Sequence, residues 1–247
     1  MKFILENLIG IVSITILTLN TIILSCLLIP LGLIKFFLPI TNIKVLFTKF
    51  IINIGELWIF TNKIWVKALH KPNWEIIGKE NIKSNGWTIA TSNHQSFADI
   101  FLLQDITNMK MPMLKFFMKY VLIYVPIIGL SWWALDMPFL KRYTKKQLEK
   151  NPKLVGKDVK EMKRALKHYS LYPVTVFSFA EGTRFTVKKH RNQNSPFDNL
   201  LKPKEGGLAT ALSLVNKIDS LIDFTIKFDS QKRSFWDYLC GLSLIHI

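Results

Sequence analysis

The sequence predicts an α/β domain, a mixed sheet flanked by helices, preceded by an N-terminal membrane helix and an amphipathic helix. Three observations carry that expectation. A long charge-free run lies near the N-terminus, a polar stripe at helical spacing follows it, and short apolar runs alternate with helical ones beyond residue 72. The 247 residues suit one ordinary domain plus an appendage.

From Leu8 to Ile34, 27 residues carry no charge, where a membrane-spanning helix needs about 20. A cleaved signal peptide fits poorly: the run is too long, Lys2 is offset by Glu6, and no small-x-small site follows. Residues 1–38 are therefore expected to be a retained anchor, with Pro30 and Gly32 leaving open a segment that dips into one leaflet and returns. In residues 39–71, Lys49, Asn53, Glu56, Lys63 and Lys67 share one helical stripe among aliphatic residues, Trp58 and Trp65. This reads as an interfacial helix, with core packing as the alternative. Lys35, Lys44 and Lys49 outweigh the N-terminal flank, so the chain beyond the anchor is expected on the cytoplasmic side.

Residues 72–247 are expected to form the α/β domain. Strands are predicted at 87–91 ("WTIAT"), 137–140 ("MPFL"), 173–179 ("PVTVFSF") and 221–228 ("LIDFTIKF"). A helix over 157–169 places Val159, Met162 and Leu166 on one face, and residues 207–216 read as a buried helix. Residues 110–135 mix lysines with aromatic and aliphatic side chains, as a surface pressed into lipid does, a core layer being the alternative.

Composition narrows the partners. Mean hydropathy is +0.23 and net charge +16, from 28 Lys and five Arg against 17 acidic residues. Lysines near a membrane each contribute about 1 kcal/mol with anionic headgroups. No recognised nucleic-acid motif accompanies the charge, so nucleic acid is not an expected partner. Cys26 and Cys240 are too few for a disulfide framework or a cysteine metal site.

His94 and Asp99 in "TSNHQSFADI" follow a predicted strand, five residues apart. A bend at the histidine followed by a first helical turn would bring the carboxylate to one imidazole nitrogen and leave the other for a substrate, the arrangement of a general base. A purely structural hydrogen bond is the alternative. Ser96, two positions from His94, would not face the imidazole and is not read as a nucleophile. In "FSFAEGTRF" a strand ends at Glu181, Gly182, Thr183 and Arg184; Gly182 permits close approach of backbone to a ligand, and Arg184 offers a donor fork suited to phosphate. "MPFLKR" likewise ends a strand in Lys141 and Arg142.

Asn93, His94 and Asp99 match an Asn-His-x4-Asp motif, Glu181, Gly182, Thr183 and Arg184 match Glu-Gly-Thr-Arg, and Arg142 matches the arginine of the block between them. On these residues the chain resembles the 1-acylglycerol-3-phosphate acyltransferase family, from about Asn73 to Gly241. The text "VPIIGLSWWALDMPFLKRY" is similar to bacterial members akin to the lysocardiolipin acyltransferase branch. The resemblance implies a glycerolipid-acyltransferase-like fold at a bacterial inner membrane. It also implies acyl transfer from acyl-CoA or acyl-carrier protein to a lysophospholipid hydroxyl, with no bound cofactor, no metal and membrane phospholipid as partner.

By the same resemblance His94 and Asp99 are catalytic, while Asn93, Arg142, Glu181, Gly182, Thr183 and Arg184 bind substrate. Lysophosphatidic acid is the expected acceptor, lysophosphatidylglycerol and lysocardiolipin the alternatives. A membrane lipid-binding protein without turnover, or a lipid or thioester hydrolase, would be a different class. Three departures stand out. Asp136 replaces a glycine of many relatives, no proline occupies the final motif near "LIDFTIKF", and the closing "LSLIHI" does not resemble the family, so the chain is expected to be truncated at its C-terminus.

Overall fold

The charge-free run forms part of one helix, α1 (Lys2–Phe37), which continues through Pro30. It is long and apolar enough to cross a membrane. The computed structural model describes residues 2–70, 74–82, 85–141, 143, 145–154, 156–215, 217–228, 234–242 and 245–246. The inward stripe of α1 holds Gly10, Ser13, Leu17, Leu24, Ser25, Leu28 and Gly32, while Phe3, Leu8, Ile11, Ile23 and Phe37 are exposed. A surface helix in water shows the reverse; small residues inward and large apolar ones outward suit a helix whose other face meets lipid. A Cβ on Gly10 would lie 2.7 Å from the Cys240 sulfur, and one on Gly32 2.5 Å from the Ala134 Cβ, so both ends of α1 lie tightly on the body.

Helix α2 (Thr41–His70) packs along α1 through side-chain bonds. Asn20 Nδ2 donates to Asn62 Oδ1 at 2.8 Å, and the Thr61 hydroxyl donates to Asn20 Oδ1 at 2.9 Å. The polar stripe expected to face outward is divided. Lys49, Asn53 and Lys67 are exposed, but Lys63 pairs with Asp105 at 2.5 Å and Glu56 accepts from the Met109 amide at 3.2 Å, while Phe50, Leu57, Phe60 and Ile64 face outward. Charges needing partners turn to the body, and apolar groups take the outer face.

The remaining elements follow in order: β1 (Trp74–Glu75), β2 (Thr88–Ser92), α3 (Ala98–Thr107), β3 (Leu114–Phe116), β4 (Met118–Lys119), α4 (Ile128–Ala134), β5 (Phe139–Leu140) and α5 (Lys145–Lys150). Then come α6 (Lys157–Leu166), β6 (Thr175–Phe179), α7 (Val187–Gln193), α8 (Glu205–Leu214), β7 (Ser220–Phe224), β8 (Lys227–Phe228), α9 (Phe235–Leu239) and β9 (Ile245–His246). The central sheet has order β3-β6-β2-β7 and is parallel throughout; the antiparallel pairing that makes the architecture mixed is β8 with β9. Helix α3 packs through Leu102, Leu103 and Ile106 on the face holding Ala90 and Phe177, and α6 and α8 cover Ile89 and Val176 on the other. Ile89 and Phe177 are both 0% exposed, each such burial stabilising by roughly 1.5–3 kcal/mol.

Several sequence expectations need correction. Strand β3 lies inside the segment read as a lipid-facing surface or core layer, disguised by Lys115 at its centre. Lys115 is 0% exposed, its Nζ donates to Leu135 O at 2.6 Å, and burial pulls its pKa down to about 8. Among the described residues, "MPFL" pairs with β4, outside the main sheet. The run 221–228 breaks into β7 and β8. Val159 is 38% exposed although Met162 and Leu166 are buried, and in α8 Ala211 is buried while Leu212 is exposed. Asp136 adopts φ 55, so the turn keeps a left-handed shape that glycine reaches without strain.

Candidate active site

Parallel strands in register finish at one sheet edge, where Ser92, Phe179 and Phe224 stand side by side. The residues that follow them meet there, in the place where open α/β sheets hold ligands. Beyond β2 the chain runs through Asn93 and His94 into α3, whose first turn contains Asp99. Asp99 Oδ2 accepts from the backbone amides of Gln95 (2.6 Å) and Ser96 (2.9 Å) and lies 2.9 Å from His94 Nδ1. The bend expected from the five-residue spacing is therefore present. Asp99 is 0% exposed and His94 half-buried. A carboxylate on Nδ1 holds the proton there and leaves Nε2 as the basic nitrogen.

The 181–185 loop clamps His94 from the other strand. The His94 amide donates to Glu181 Oε1 at 2.9 Å, the Phe185 amide donates to the His94 carbonyl at 2.7 Å, and the Leu201 amide donates to Glu181 Oε2 at 2.9 Å. Glu181 is 3% exposed. Its two oxygens thus join three separate stretches of chain. Gly182 has φ 65, and its amide donates to Phe179 O at 2.9 Å, closing the turn after β6. Lys189 Nζ donates to the Thr183 hydroxyl at 2.7 Å and to Arg184 O at 2.9 Å.

Asn93 makes two bonds to one residue of the opposite strand connection. Its Nδ2 donates to Ile226 O at 2.8 Å and its Oδ1 accepts from the Ile226 amide at 2.7 Å. The polar groups of Asn93 and Glu181, expected to meet substrate, are engaged inside the protein. Arg184 is exposed, with its guanidinium 3.8 Å from the centre of the Phe97 ring, a cation held over an aromatic face. Arg142 lies outside the described residues; its neighbour Lys141 sits 4.5 Å above the Tyr120 ring.

The structure brings together Asn93, His94, Asp99, Glu181, Gly182, Thr183 and Arg184. Sequence reasoning missed Phe179, whose ring stacks on the His94 imidazole with centroids 3.8 Å apart and planes at 12°. Strand alternation was the available signal, since Phe177 and Phe179 share one face of β6. Phe97 and Lys189 had no signal of their own. Among the described residues, no group of three or more His, Cys, Asp or Glu is arranged to hold a metal ion.

The model of the Acyltransferase family matches residues 73–225, the stretch that holds every residue of this edge just described except Ile226. The chain belongs to the Acyltransferase family. This member is 32% identical over 130 residues to the 1-acyl-sn-glycerol-3-phosphate acyltransferase delta of Homo sapiens, covering 48% of the chain and 32% of that protein. It is 28% identical over 198 residues to 1-acyl-sn-glycerol-3-phosphate acyltransferase 3 of Arabidopsis thaliana, covering 70% and 48% respectively. The chain spans about a third of the length of the first curated relatives it matches. The crystal structure of the 1-acyl-sn-glycerophosphate (LPA) acyltransferase, PlsC, from Thermotoga maritima superposes with a TM-score of 0.48 and 17% identity, over 97% of this chain and 93% of that one.

Proposed function

We propose that this member transfers a fatty acyl group from an acyl thioester to the free hydroxyl of a lysophospholipid, with lysophosphatidic acid as the acceptor. The observation that carries the reading is the His94 Nδ1–Asp99 contact of 2.9 Å at the sheet edge, inside the stretch that matches the family. His94 Nε2 takes the hydroxyl proton as the oxygen attacks the thioester carbonyl. Collapse of the tetrahedral adduct breaks the carbon–sulfur bond, and the proton passes to the departing thiolate. General-base help is typically 10²–10⁴-fold. Alignment of two bound substrates contributes about 7–11 kcal/mol more.

Arg184 supports an anionic acceptor, because its fork reads two phosphate oxygens at once where a lysine offers a point charge. Purified protein should be given a panel of lysolipids with one labelled acyl donor, as CoA or carrier-protein thioester. Lysophosphatidic acid is expected to exceed lysophosphatidylcholine. Arg184→Lys should lower kcat/KM for the former by about 10- to 100-fold, the loss of one charge-assisted contact. Equal use of both acceptors, unchanged in the variant, would overturn phosphate reading by Arg184.

The body contacts of α1 support a helix lying in the plane of the membrane face. Trp236 Nε1 donates to Asn7 Oδ1 at 3.0 Å near one end, and Lys35 Nζ lies 2.8 Å from Asp136 Oδ1 near the other. The 28 steps from Asn7 to Lys35 span about 42 Å at 1.5 Å per residue, more than the roughly 30 Å of a hydrocarbon core. A helix held to the domain over that length offers lipid its outer face only. In a background lacking Cys26 and Cys240, cysteines placed at Leu5 and Lys188 should react with an impermeant maleimide from the same side of sealed vesicles. Labelling from opposite sides would mean that α1 crosses.

A further inference from the structure

Three successive carbonyls at the C-terminal end of α4 each accept a hydrogen bond from a different part of the chain. Lys35 Nζ, in the last turn of α1, donates to Ala134 O at 2.7 Å. Lys115 Nζ, from β3, donates to Leu135 O at 2.6 Å, and the Tyr169 hydroxyl donates to Asp136 O at 2.6 Å. The Asp136 carboxylate closes the cluster, with Oδ1 2.8 Å from Lys35 Nζ and Oδ2 accepting from the Tyr172 hydroxyl at 3.0 Å. Lys115 and Tyr169 are buried, and the Lys35 side chain is only 12% exposed. Cations suit the free carbonyls at a helix end. The left-handed backbone of Asp136 carries strain that persists only where its surroundings over-determine it, and the two partners of its carboxylate do so.

What the cluster holds follows from the chain. Lys115 stands three residues before β4 and Asp136 three before β5, and these strands pair with Lys119 opposite Leu140. Tying Lys115 to Leu135 therefore sets the register of this two-stranded ribbon. Because β3 is parallel to β6 and β2, the chain leaving β3 runs on toward the sheet end that carries His94 and Glu181, and the ribbon it enters holds Lys119 and ends next to Lys141. From the lipid-facing helix, Lys35 joins the cluster directly, beside the Gly32–Ala134 packing and the Ser131–Ser25 hydrogen bond that seat α1 on α4.

We propose that Lys35 and Asp136 form a latch that transmits the seating of α1 to the β4–β5 ribbon, positioning Lys119 and Lys141 for the acceptor's phosphate. Its consequence for substrate rests on the acyl-transfer reading; its geometry does not. Lys35 and Asp136 are positioning residues, acting through the ribbon. The experiment uses full-length protein in lipid nanodiscs, with Lys35→Met, Asp136→Gly, both together, and Lys35→Arg as the conservative variant. Asp136→Gly removes the carboxylate while relieving the backbone, so it tests the latch without adding strain.

Each single loss should raise KM for lysophosphatidic acid about 5- to 10-fold, the low end of ordinary coupling between sites, with kcat little changed. The double variant should lose less than the two single losses combined, since the Lys35–Asp136 contact is shared by both, while Tyr172 loses its partner only with Asp136 and the Ala134 carbonyl only with Lys35. Lys35→Arg should stay near wild type. Amide exchange over residues 137–141 should quicken in the two single variants. An unchanged KM, a parallel fall in kcat, or additive losses would overturn the latch. A wild-type protein that transfers no acyl group defeats the proposed function instead, and exchange then decides the latch alone: faster over 137–141 supports it, unchanged overturns it.

Discussion

Replacing His94 by alanine is expected to lower acyl transfer about 1,000-fold, within the range of a lost general base, while the circular dichroism spectrum stays that of the wild type. The imidazole is half-buried at the sheet edge, and the backbone bonds of residue 94 to Glu181 and Phe185 survive the substitution. Asp99→Asn is the informative companion. The Gln95 amide, the Ser96 amide and His94 Nδ1 all meet the same oxygen, Oδ2. An asparagine whose oxygen takes that place keeps the three contacts and removes only the negative charge that stabilises the imidazolium formed as Nε2 takes a proton. The activity of Asp99→Asn should fall nearly as far, and the double variant should be little worse than His94→Ala, as expected of groups that act as one unit. A folded His94→Ala protein that turns over at the wild-type rate would sink the assignment.

Glu181→Gln is expected to be almost as damaging for a different reason. Both carboxylate oxygens accept from backbone amides, those of His94 and Leu201, at 2.9 Å each. Glutamine offers one oxygen and one NH₂, so one buried amide would face another donor, at about 1–3 kcal/mol. Either His94 or the 201 segment must then move. A displacement near 1 Å costs on the order of 100-fold in rate, so turnover should drop by about that factor and the melting temperature with it. Stability lost with the rate preserved would show that Glu181 holds the loop but not the histidine.

The latch, the glutamate clamp and the asparagine bridge share a feature that explains what could be read early. The local pattern of the sequence was enough for α1, α2, the strands around 88–92 and 175–179, and the turn that sets Asp99 against His94. Periodicity and five-residue spacing are properties of neighbouring residues, and neighbouring residues express them wherever the chain is placed. The reading went astray where a residue's partner is remote. Asn93 meets Ile226 across 133 positions and Glu181 meets His94 across 87, so neither side chain declared that its polar groups would be taken by backbone.

Lys115 hid a strand because a charge at its centre breaks the apolar pattern, and only Leu135 O and the nearby Asp136 make its burial tolerable. Asp136 looked like a misplaced residue in a glycine position until Lys35 and Tyr172 supplied its partners. The sequence by itself determined α1, α2, the strands β2 and β6 and the histidine–aspartate pair. Tertiary structure decided which polar groups remain free for a substrate, because a buried hydrogen-bonding group must be satisfied and its partner is chosen by the fold.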